Sequence, residues 1–559
     1  MKLHTLFIVL LSTLIFILNG CGGGSSSTSI PVIPTNPTPS PSPTDTTTLN
    51  PEVSITDEYQ VESLGVANTI NAKVSLGNRP KSLYLVLSNY ASTSAGSSIT
   101  HNAKIMETKQ SKSILPTPLM KKPAILRTPQ YVQDFSSQIG TLLSKAKTSQ
   151  PQAKILAVIK SHKDVEGNTT SFCTNINNIG NCNQTTNATA RKVVSNITTN
   201  FGSKTLNIWV SDDSFDSGSG CPKSKCVTQA MVDQLADTFL QAGSNNDIYD
   251  WVTNIYEDEW GSDAGAIYGE LIPEDNEITI LLTDIDGDNS STGGVIGFFW
   301  SKDNLDKSAV SGSNERIMFY ADAVMFANTD NGDFWQKEIY STLAHEFQHM
   351  INFYQKYILL DTDSDIWINE MLSETTEDLI ATKIQHIGPR GVVYTDGSAG
   401  STDNTKGRYP LFNANNTLSL TAWNDQSADY SKVNAFGTYL VRNYGGAKLL
   451  HDIMHNTYVD AQAVVSAVNK SPEGSGKTFN NLLSEWGTAV LLSTIESPEN
   501  LPTYNTGDFT YIPYNDIEYD LGSINFFNYT PLPTIYTGAG TVEALSLIHI
   551  SEPTRLLSI

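Results

Sequence analysis

The sequence is poor in basic residues and contains no basic cluster. It has 35 Lys and Arg against 58 Asp and Glu, which gives a formal net charge of −23 over 559 residues. Nucleic acids and anionic membrane surfaces are bound through clustered Lys and Arg side chains. The composition therefore argues against a nucleic-acid partner and against an electrostatic membrane patch. No pattern in the sequence indicates an oligomeric state.

The apolar run at the N-terminus is too short to span a membrane. It covers residues 6–18 after Lys2, and this length and flank are typical of a signal peptide over residues 1–20. The sequence LNGC that ends at Cys21 has the form of a lipobox, which predicts lipidation of Cys21. We expect an anchor in the bacterial cell envelope, on the outer membrane or cell surface, facing the exterior or periplasm. Ordinary secretion by nearby cleavage is the alternative.

Cysteine is scarce, and four residues remain besides Cys21. An even number in an exported protein predicts two disulfides between sequence neighbours, although three pairings are possible in principle. Neither pair has the C-x2-C spacing of a zinc site, so a metal centre built from them is not expected. The expected disulfides are Cys173–Cys182 and Cys221–Cys226.

Histidine is also infrequent, with nine residues, yet two of them stand in one HExxH motif. The motif is His345-Glu346-Phe347-Gln348-His349, inside a segment from 334 to 357 that has no Pro or Gly. Residues four apart share a helix face, so both imidazoles can bind one Zn²⁺ while Glu346 lies beside the open coordination position. The alternative is a packed helix with two incidental histidines.

A second predicted helix follows and brings acidic residues back toward this motif. Glu370 completes the pattern HExxH-x20-E and is the expected third ligand, leaving zinc's fourth position for water. Asn369 precedes it. Glu374 lies one turn further along and is expected to hydrogen-bond a liganding imidazole. Glu374 and Glu377 remain the alternative ligands if the helical register differs.

The combined motifs resemble those of a known enzyme family. The segment Asn369-Glu370-Met371-Leu372-Ser373-Glu374 matches the NExxS[DE] motif of the gluzincins, and HEFQHMINF is similar to the hyicolysin-type (M30) metallopeptidases. The similarity extends from about residue 206 to 493. Metzincins are excluded, because they need Gly and His where this chain has Asn352 and Gln355. Met371 departs from the glycine that the family usually carries.

This resemblance implies a fold and a set of roles. The expected class is α+β: a zincin-like domain with a mixed β-sheet and the HExxH helix, then a mainly helical lower subdomain, preceded by a small β-rich domain. His345, His349 and Glu370 would be zinc ligands, and Glu346 the catalytic base. A strand over residues 316–323 would form the sheet edge that can pair with an extended substrate.

Two further groups of residues are candidates for the site. Gluzincin lower subdomains place a Tyr or His donor near the substrate oxyanion, and Tyr430 is the candidate here, with Tyr439 and His451 as alternatives. Asp284, Asp286 and Asp288 suggest a possible Ca²⁺ site. They do not form an EF-hand, because the Gly comes too early, and a polar turn after a strand also explains them.

The domain organisation follows from these segments. Residues 545–555 correspond to a translated transposase-type sequencing adapter, so residues from about 545 onward are interpreted as an artefact and the protein is expected to continue past Ala544. The expected segments are a signal peptide 1–20, a Ser/Thr/Pro-rich tether 21–51, a β-rich region 52–150, a connecting region 151–204, a zincin domain 205–495, a truncated β-like segment 496–544 and the artefact 545–559.

The sequence therefore predicts a lipid-anchored extracellular zinc endopeptidase that acts on protein or peptide substrates. The membrane would be contacted through the N-terminal lipid only. The alternative is a surface binding or adhesion lipoprotein with a structural or vestigial zinc site. An aminopeptidase is a third possibility, but no GxMEN-type segment is present to capture a substrate amine.

Overall fold

The fold is described from a computed structural model. Described residues are 48–101 and 128–148 with gaps, 163–544 with short gaps, of which 393–402 and 495–500 are the longest, and 555–558. The signal peptide, Cys21 and nearly all of the tether lie outside them, as does most of the predicted artefact. The chain divides into two compact units, residues 1–80 and residues 81–559.

The first unit contains four short strands in its described part. They are β1 (Thr48–Leu49), β2 (Glu52–Ser54), β3 (Thr69–Ile70) and β4 (Lys73–Ser75). β1 pairs with β3 and β2 pairs with β4, both in parallel. The boundary at residue 80 therefore falls inside the β-rich region predicted over 52–150.

The second unit contains the remaining strands, most of them in its central part. They are β5 (Tyr84–Leu87), β6 (Ser97–His101), β7 (Thr169–Ile176), β8 (Cys182–Thr199), β9 (Gly202–Ser211), β10 (Glu277–Thr283), β11 (Gly297–Phe299), β12 (Ile317–Asp322), β13 (Gly507–Tyr511), β14 (Ile517–Leu521), β15 (Ile535–Thr537), β16 (Gly540–Ala544) and β17 (Arg555–Ser558).

Six of these strands form one mixed sheet in the order β11-β12-β10-β9-β8-β7. β10 runs parallel to both β9 and β12, whereas β11 is antiparallel to β12. Every residue of β10 and β12 is buried, as expected for parallel strands covered on both faces. The predicted edge strand over residues 316–323 is therefore internal, and the short strand β11 occupies the edge beside it.

Twelve α-helices pack around and below this sheet in the described part of the second unit. They are α1 (Gln130–Thr148), α2 (Gln229–Phe239), α3 (Ile248–Tyr256), α4 (Ala264–Ile267), α5 (Ala323–Phe326), α6 (Phe334–Asn352), α7 (Ile366–Ala381), α8 (Tyr409–Asn415), α9 (Ser427–Asn443), α10 (Ala447–Met454), α11 (Ala461–Val468) and α12 (Phe479–Leu492). The architecture is mixed α and β, as the sequence predicts.

A π-helical segment lies between the two helices that carry the motifs. The α-helix predicted through residue 357 ends at Asn352, and a π-helical segment, Phe353–Leu359, follows before α7 begins. On its other side α7 packs very closely on α9. A Cβ atom added to Gly437 of α9 would lie 2.0 Å from Thr375 Oγ1 of α7. Glycine is therefore required at this crossing.

Both predicted disulfides are confirmed, Cys173–Cys182 and Cys221–Cys226. The first joins β7 to the start of β8 in the central sheet. Within the described ranges, no helix combines the length and the apolar character needed to cross a bilayer.

Candidate metal centre

Helix α6 directs its two motif histidines toward one point. His345 and His349 are one turn apart, and their Nε2 atoms are 3.1 Å from each other. The ring planes meet at 75° with centroids 4.8 Å apart. Two ring nitrogens therefore face the same small volume beside the helix.

Helix α7 adds a carboxylate to the same point. Glu370 Oε2 lies 3.3 Å from His345 Nε2 and 3.6 Å from His349 Nε2. Burial acts to raise the pKa of Glu370, but the charges of the neighbouring His349 and His345 imidazoles lower it overall. The third group predicted from the sequence therefore reaches the histidines as a carboxylate.

These three atoms fit a tetrahedral zinc ion. Ligands about 2.0–2.1 Å from a tetrahedral ion lie about 3.3 Å from one another, close to the three separations between His345, His349 and Glu370. Glu370 Oε2 is buried and has no hydrogen-bond partner of its own, although it faces both rings. Such an atom is costly to bury unless a cation balances it. The donor set therefore suits a metal, and its two nitrogens and one oxygen suit zinc.

A second carboxylate orients His345, and it is Glu377. Glu377 Oε1 lies 2.7 Å from His345 Nδ1, and its other oxygen accepts a hydrogen bond from Ser341 Oγ at 3.0 Å. The sequence predicts Glu374 in this role. Glu374 instead receives two hydrogen bonds from the Arg408 guanidinium, from Nε at 2.9 Å and from Nη2 at 2.5 Å. The contact to the imidazole therefore belongs to the residue one turn further along α7.

Glu346 connects the motif helix α6 to the edge strand β11. Its Oε2 accepts a hydrogen bond from the backbone N–H of Phe299, the last residue of β11, at 2.9 Å. The side chain is 6% exposed. Burial raises the pKa of Glu346, and the neighbouring imidazoles only partly oppose this effect. The carboxyl group is therefore held in place, and its pKa lies above the ordinary value for glutamate.

Comparison with known proteins identifies the family. A family model described as Peptidase M30 matches residues 184–535, more than half of the chain. The chain belongs to the M30 peptidase family. A protein named Neutral metalloprotease ShpI, from Staphylococcus hyicus, is 28% identical over 207 residues, which are 36% of this chain and 43% of that protein. This M30 chain thus matches less than half the length of that curated relative.

A solved structure is weakly similar to this M30 chain. The crystal structure of an M1 zinc metallopeptidase from Deinococcus radiodurans is 10% identical, with a TM-score of 0.23. The match covers 59% of this chain and 57% of the chain in that structure. The score is too low to support an argument about the fold. The resemblance to the M30 family that the sequence indicates is confirmed by the family match.

Tyr430 of the M30 domain lies within electrostatic reach of the candidate metal centre. Its ring is 4% exposed, and its hydroxyl donates to Asp425 Oδ1 at 3.3 Å. Burial, followed by the charge of Glu370, raises the pKa of Tyr430 well above its usual value. The hydroxyl therefore keeps its proton near the ligand set.

Asn369 precedes Glu370 on α7, and its Oδ1 atom is buried without a hydrogen-bond partner.

The alternative donors point elsewhere. Tyr439 is fully buried, and its hydroxyl contacts Tyr444 at 3.0 Å and Glu485 at 3.3 Å. The Nδ1 atom of His451 lies 2.9 Å from the carbonyl oxygen of Ile255. Neither contact involves the ligand set, so Tyr430 is the remaining candidate of the three.

The calcium hypothesis is not supported. Asp284 pairs with Lys223 Nζ at 2.7 Å and accepts the backbone N–H of Asn289. Asp288 accepts the N–H of Ser290 at 2.8 Å. In the part of the chain that the structure describes, the acidic side chains of this loop do not converge as a group of metal ligands. These carboxylates serve the turn after β10, the simpler of the two interpretations.

Two functional contacts were not assigned from the sequence. Glu377 lies two helical turns after Glu370 and therefore on the same face, a signal that was available. Arg408 comes from a segment just before α8, and its contact with Glu374 spans 34 residues. No sequence pattern indicates that pairing.

Proposed function

We propose that this M30 chain is a zinc-dependent endopeptidase of the gluzincin type, with the pattern HExxH-x20-E. One observation carries the proposal: three ligand atoms from His345, His349 and Glu370 lie 3.1–3.6 Å apart, with the Glu346 carboxyl group beside them. Zinc held by these residues supplies Lewis-acid chemistry, because it polarises a peptide carbonyl and makes the attacking water more acidic.

Glu346 acts as the proton carrier in this proposal. A general base works best when its pKa is near the operating pH, and burial shifts the pKa of Glu346 in that direction. Its carboxylate accepts a proton from the attacking water and later delivers it to the leaving amine. The hydrogen bond from Phe299 holds one oxygen, so the other is free to face the reacting water.

Tyr430 is the proposed donor to the developing oxyanion. Its pKa is raised by burial and by nearby carboxylates, so the hydroxyl remains protonated at neutral pH and can donate. A positioned donor of this kind stabilises negative charge that develops in the transition state. Its present partner, Asp425, is a weak contact at 3.3 Å that a stronger acceptor can replace.

A structural zinc site is the competing explanation. Structural zinc is closed by a fourth protein ligand, whereas catalytic zinc keeps one position for solvent. Within the described ranges, Glu370 is the carboxylate grouped with both histidines, whereas Glu374 and Glu377 group with His345 alone and are engaged by Arg408 and by His345 Nδ1. A set of three protein ligands favours a catalytic zinc over the structural zinc expected in an adhesion lipoprotein.

We further propose lipidation at Cys21 and an extracellular location, both from the N-terminal sequence.

Hydrolysis of azocasein or a peptide library tests the proposed activity. Wild-type protein should cleave, lose activity with a chelator and recover it with Zn²⁺. Glu346→Gln should keep the bound metal and lose at least about a hundredfold in rate, because general base catalysis contributes about that much. Glu338→Gln, on the same helix but paired with His386, is the matched control and should stay active. Equal activity in wild type and Glu346→Gln would refute the role of this base.

A further inference from the structure

A second group of metal-ligand side chains lies away from the HExxH site. His451 is on α10 and His455 follows its last residue, one turn later, while Glu257 follows the end of α3. One ligand atom from each of these residues lies within 4.8 Å of the others. Glu257 Oε2 is 3.6 Å from His455 Nε2. The cluster therefore joins two helices at their C-terminal ends.

The hydrogen bonds of the two rings prepare them as ligands. His451 Nδ1 lies 2.9 Å from the carbonyl oxygen of Ile255, and His455 Nδ1 lies 3.0 Å from the carbonyl oxygen of His451. A carbonyl oxygen only accepts, so each Nδ1 carries the proton and each Nε2 keeps its lone pair. This is how metal-binding histidines are usually oriented.

One of these nitrogens has no hydrogen-bond partner. His455 Nε2 is buried and makes no hydrogen bond. A buried lone pair of this kind is an unfavourable feature unless a ligand satisfies it.

We propose that Glu257, His451 and His455 bind a second divalent transition-metal ion of the Zn²⁺ class, through two imidazole nitrogens and one carboxylate oxygen. Imidazole suits zinc, copper and nickel, and the carboxylate supplies the balancing charge. The rings now stack at 4.1 Å with planes 27° apart. One ligand atom of each residue already lies within 4.8 Å of the others, so binding one ion needs only small adjustments of the side chains.

This cluster also supplies three ligands, but the acid beside it is already engaged, so we assign the ion a supporting rather than a catalytic role. In the HExxH motif an acid follows the first histidine, and the corresponding position here is Asp452. Asp452 is held by Lys448 at 2.5 Å and Lys470 at 2.9 Å. The nearby Lys356 ammonium donates to three backbone carbonyls, including Tyr458 O at 2.7 Å, and is likewise engaged.

The ion acts as a clamp between α3 and α10. Helix α3 packs against the HExxH helix through Tyr249 and Phe347, whose ring centroids are 5.5 Å apart. Fixing the end of α3 therefore supports the helix that carries the first site. The clamp does not depend on the proposed peptidase activity.

Metal counting on the full chain tests this proposal. After equilibrium dialysis against Zn²⁺, we expect two equivalents in the wild type and in Glu346→Gln. His455→Phe and His451→Phe should each bind one equivalent, since the ring can still stack but cannot ligate. His386→Phe, which changes a histidine outside both groups, is the control and should bind two.

Thermal unfolding and azocasein hydrolysis separate loss of the ion from loss of the fold. Zn²⁺ should raise the Tm of His455→Phe less than that of the wild type, because only one site remains. Fewer than two equivalents in the wild type would overturn the proposal, as would two equivalents in both Phe variants. Absence of hydrolysis with two bound ions would contradict only the peptidase proposal.

Discussion

Replacing Glu377 by Gln should weaken zinc binding at the first site more than replacing Glu374. Glu377 contacts His345 Nδ1 at 2.7 Å, and this hydrogen bond is assisted by the carboxylate charge. An amide at this position can still accept the Nδ1 proton, but charge-assisted hydrogen bonds are about twice as strong as neutral ones. Loss of such a contact behind a liganding histidine lowers metal affinity about 10–100-fold, or about 1.4–2.8 kcal/mol.

Glu374→Gln is the matched comparison, because it changes the same residue type on the same helix. Its expected effect is on stability. The Arg408 guanidinium would lose its charged partner inside the protein, which costs up to about 3–5 kcal/mol for a buried pair. We therefore expect a lower Tm for Glu374→Gln, with a smaller change in the zinc affinity of the folded protein.

Competition for Zn²⁺ against a chelator of known affinity, at fixed pH, measures the first quantity, and thermal unfolding measures the second. Both proteins should be compared with wild type at a temperature well below the transition. A Glu377→Gln variant with wild-type zinc affinity, together with a weakened Glu374→Gln variant, would refute the assignment. If Glu374 oriented His345, as predicted from the sequence, Glu374→Gln would weaken zinc binding more than Glu377→Gln.

Two further predictions concern packing and pH. Gly437→Ala should lower both Tm and zinc affinity, because the added Cβ would overlap Thr375 of the helix that carries Glu370, and overpacking costs about 1–3 kcal/mol. The control is Gly140→Ala, whose Cβ would meet only the tip of the Tyr357 side chain at 3.1 Å. Equal losses in the two variants would contradict this reasoning. Burial raises the pKa of Asp322 from 3.8 to about 7, so its stabilising contribution is complete below pH 3.8 and is lost as the pH rises through 7, by at most about 4 kcal/mol. Denaturant unfolding of Asp322→Asn should show a weaker fall in stability over that range, and an unchanged pH dependence would exclude the effect.

The ligand set could be predicted from the sequence because it depends on local periodicity. His345 and His349 share a face in any α-helix, and Glu370 needs only a return helix of the right length. The edge of the sheet could not be predicted this way. From its own sequence, β12 is predicted to form the edge of the sheet. It is internal because the three residues of β11 pair with it.

The choice between Glu374 and Glu377 shows the same limit. Both acids lie near His345 on one buried helix, and their separate roles depend on Arg408, which approaches from a distant part of the chain. A helical pattern gives the face on which a residue lies but not the partner it meets there. Packing against non-local segments decides which of two similar acids contacts the metal ligand.

The hydrogen bond between Phe299 and Glu346 connects the protonation of one carboxyl group to the border of the sheet. A carboxylate oxygen that gains a proton becomes a poorer acceptor, so protonation of Glu346 at that oxygen weakens the hydrogen bond from the Phe299 amide. We therefore expect the edge strand β11 to be held less firmly when Glu346 is protonated there than when it is ionised.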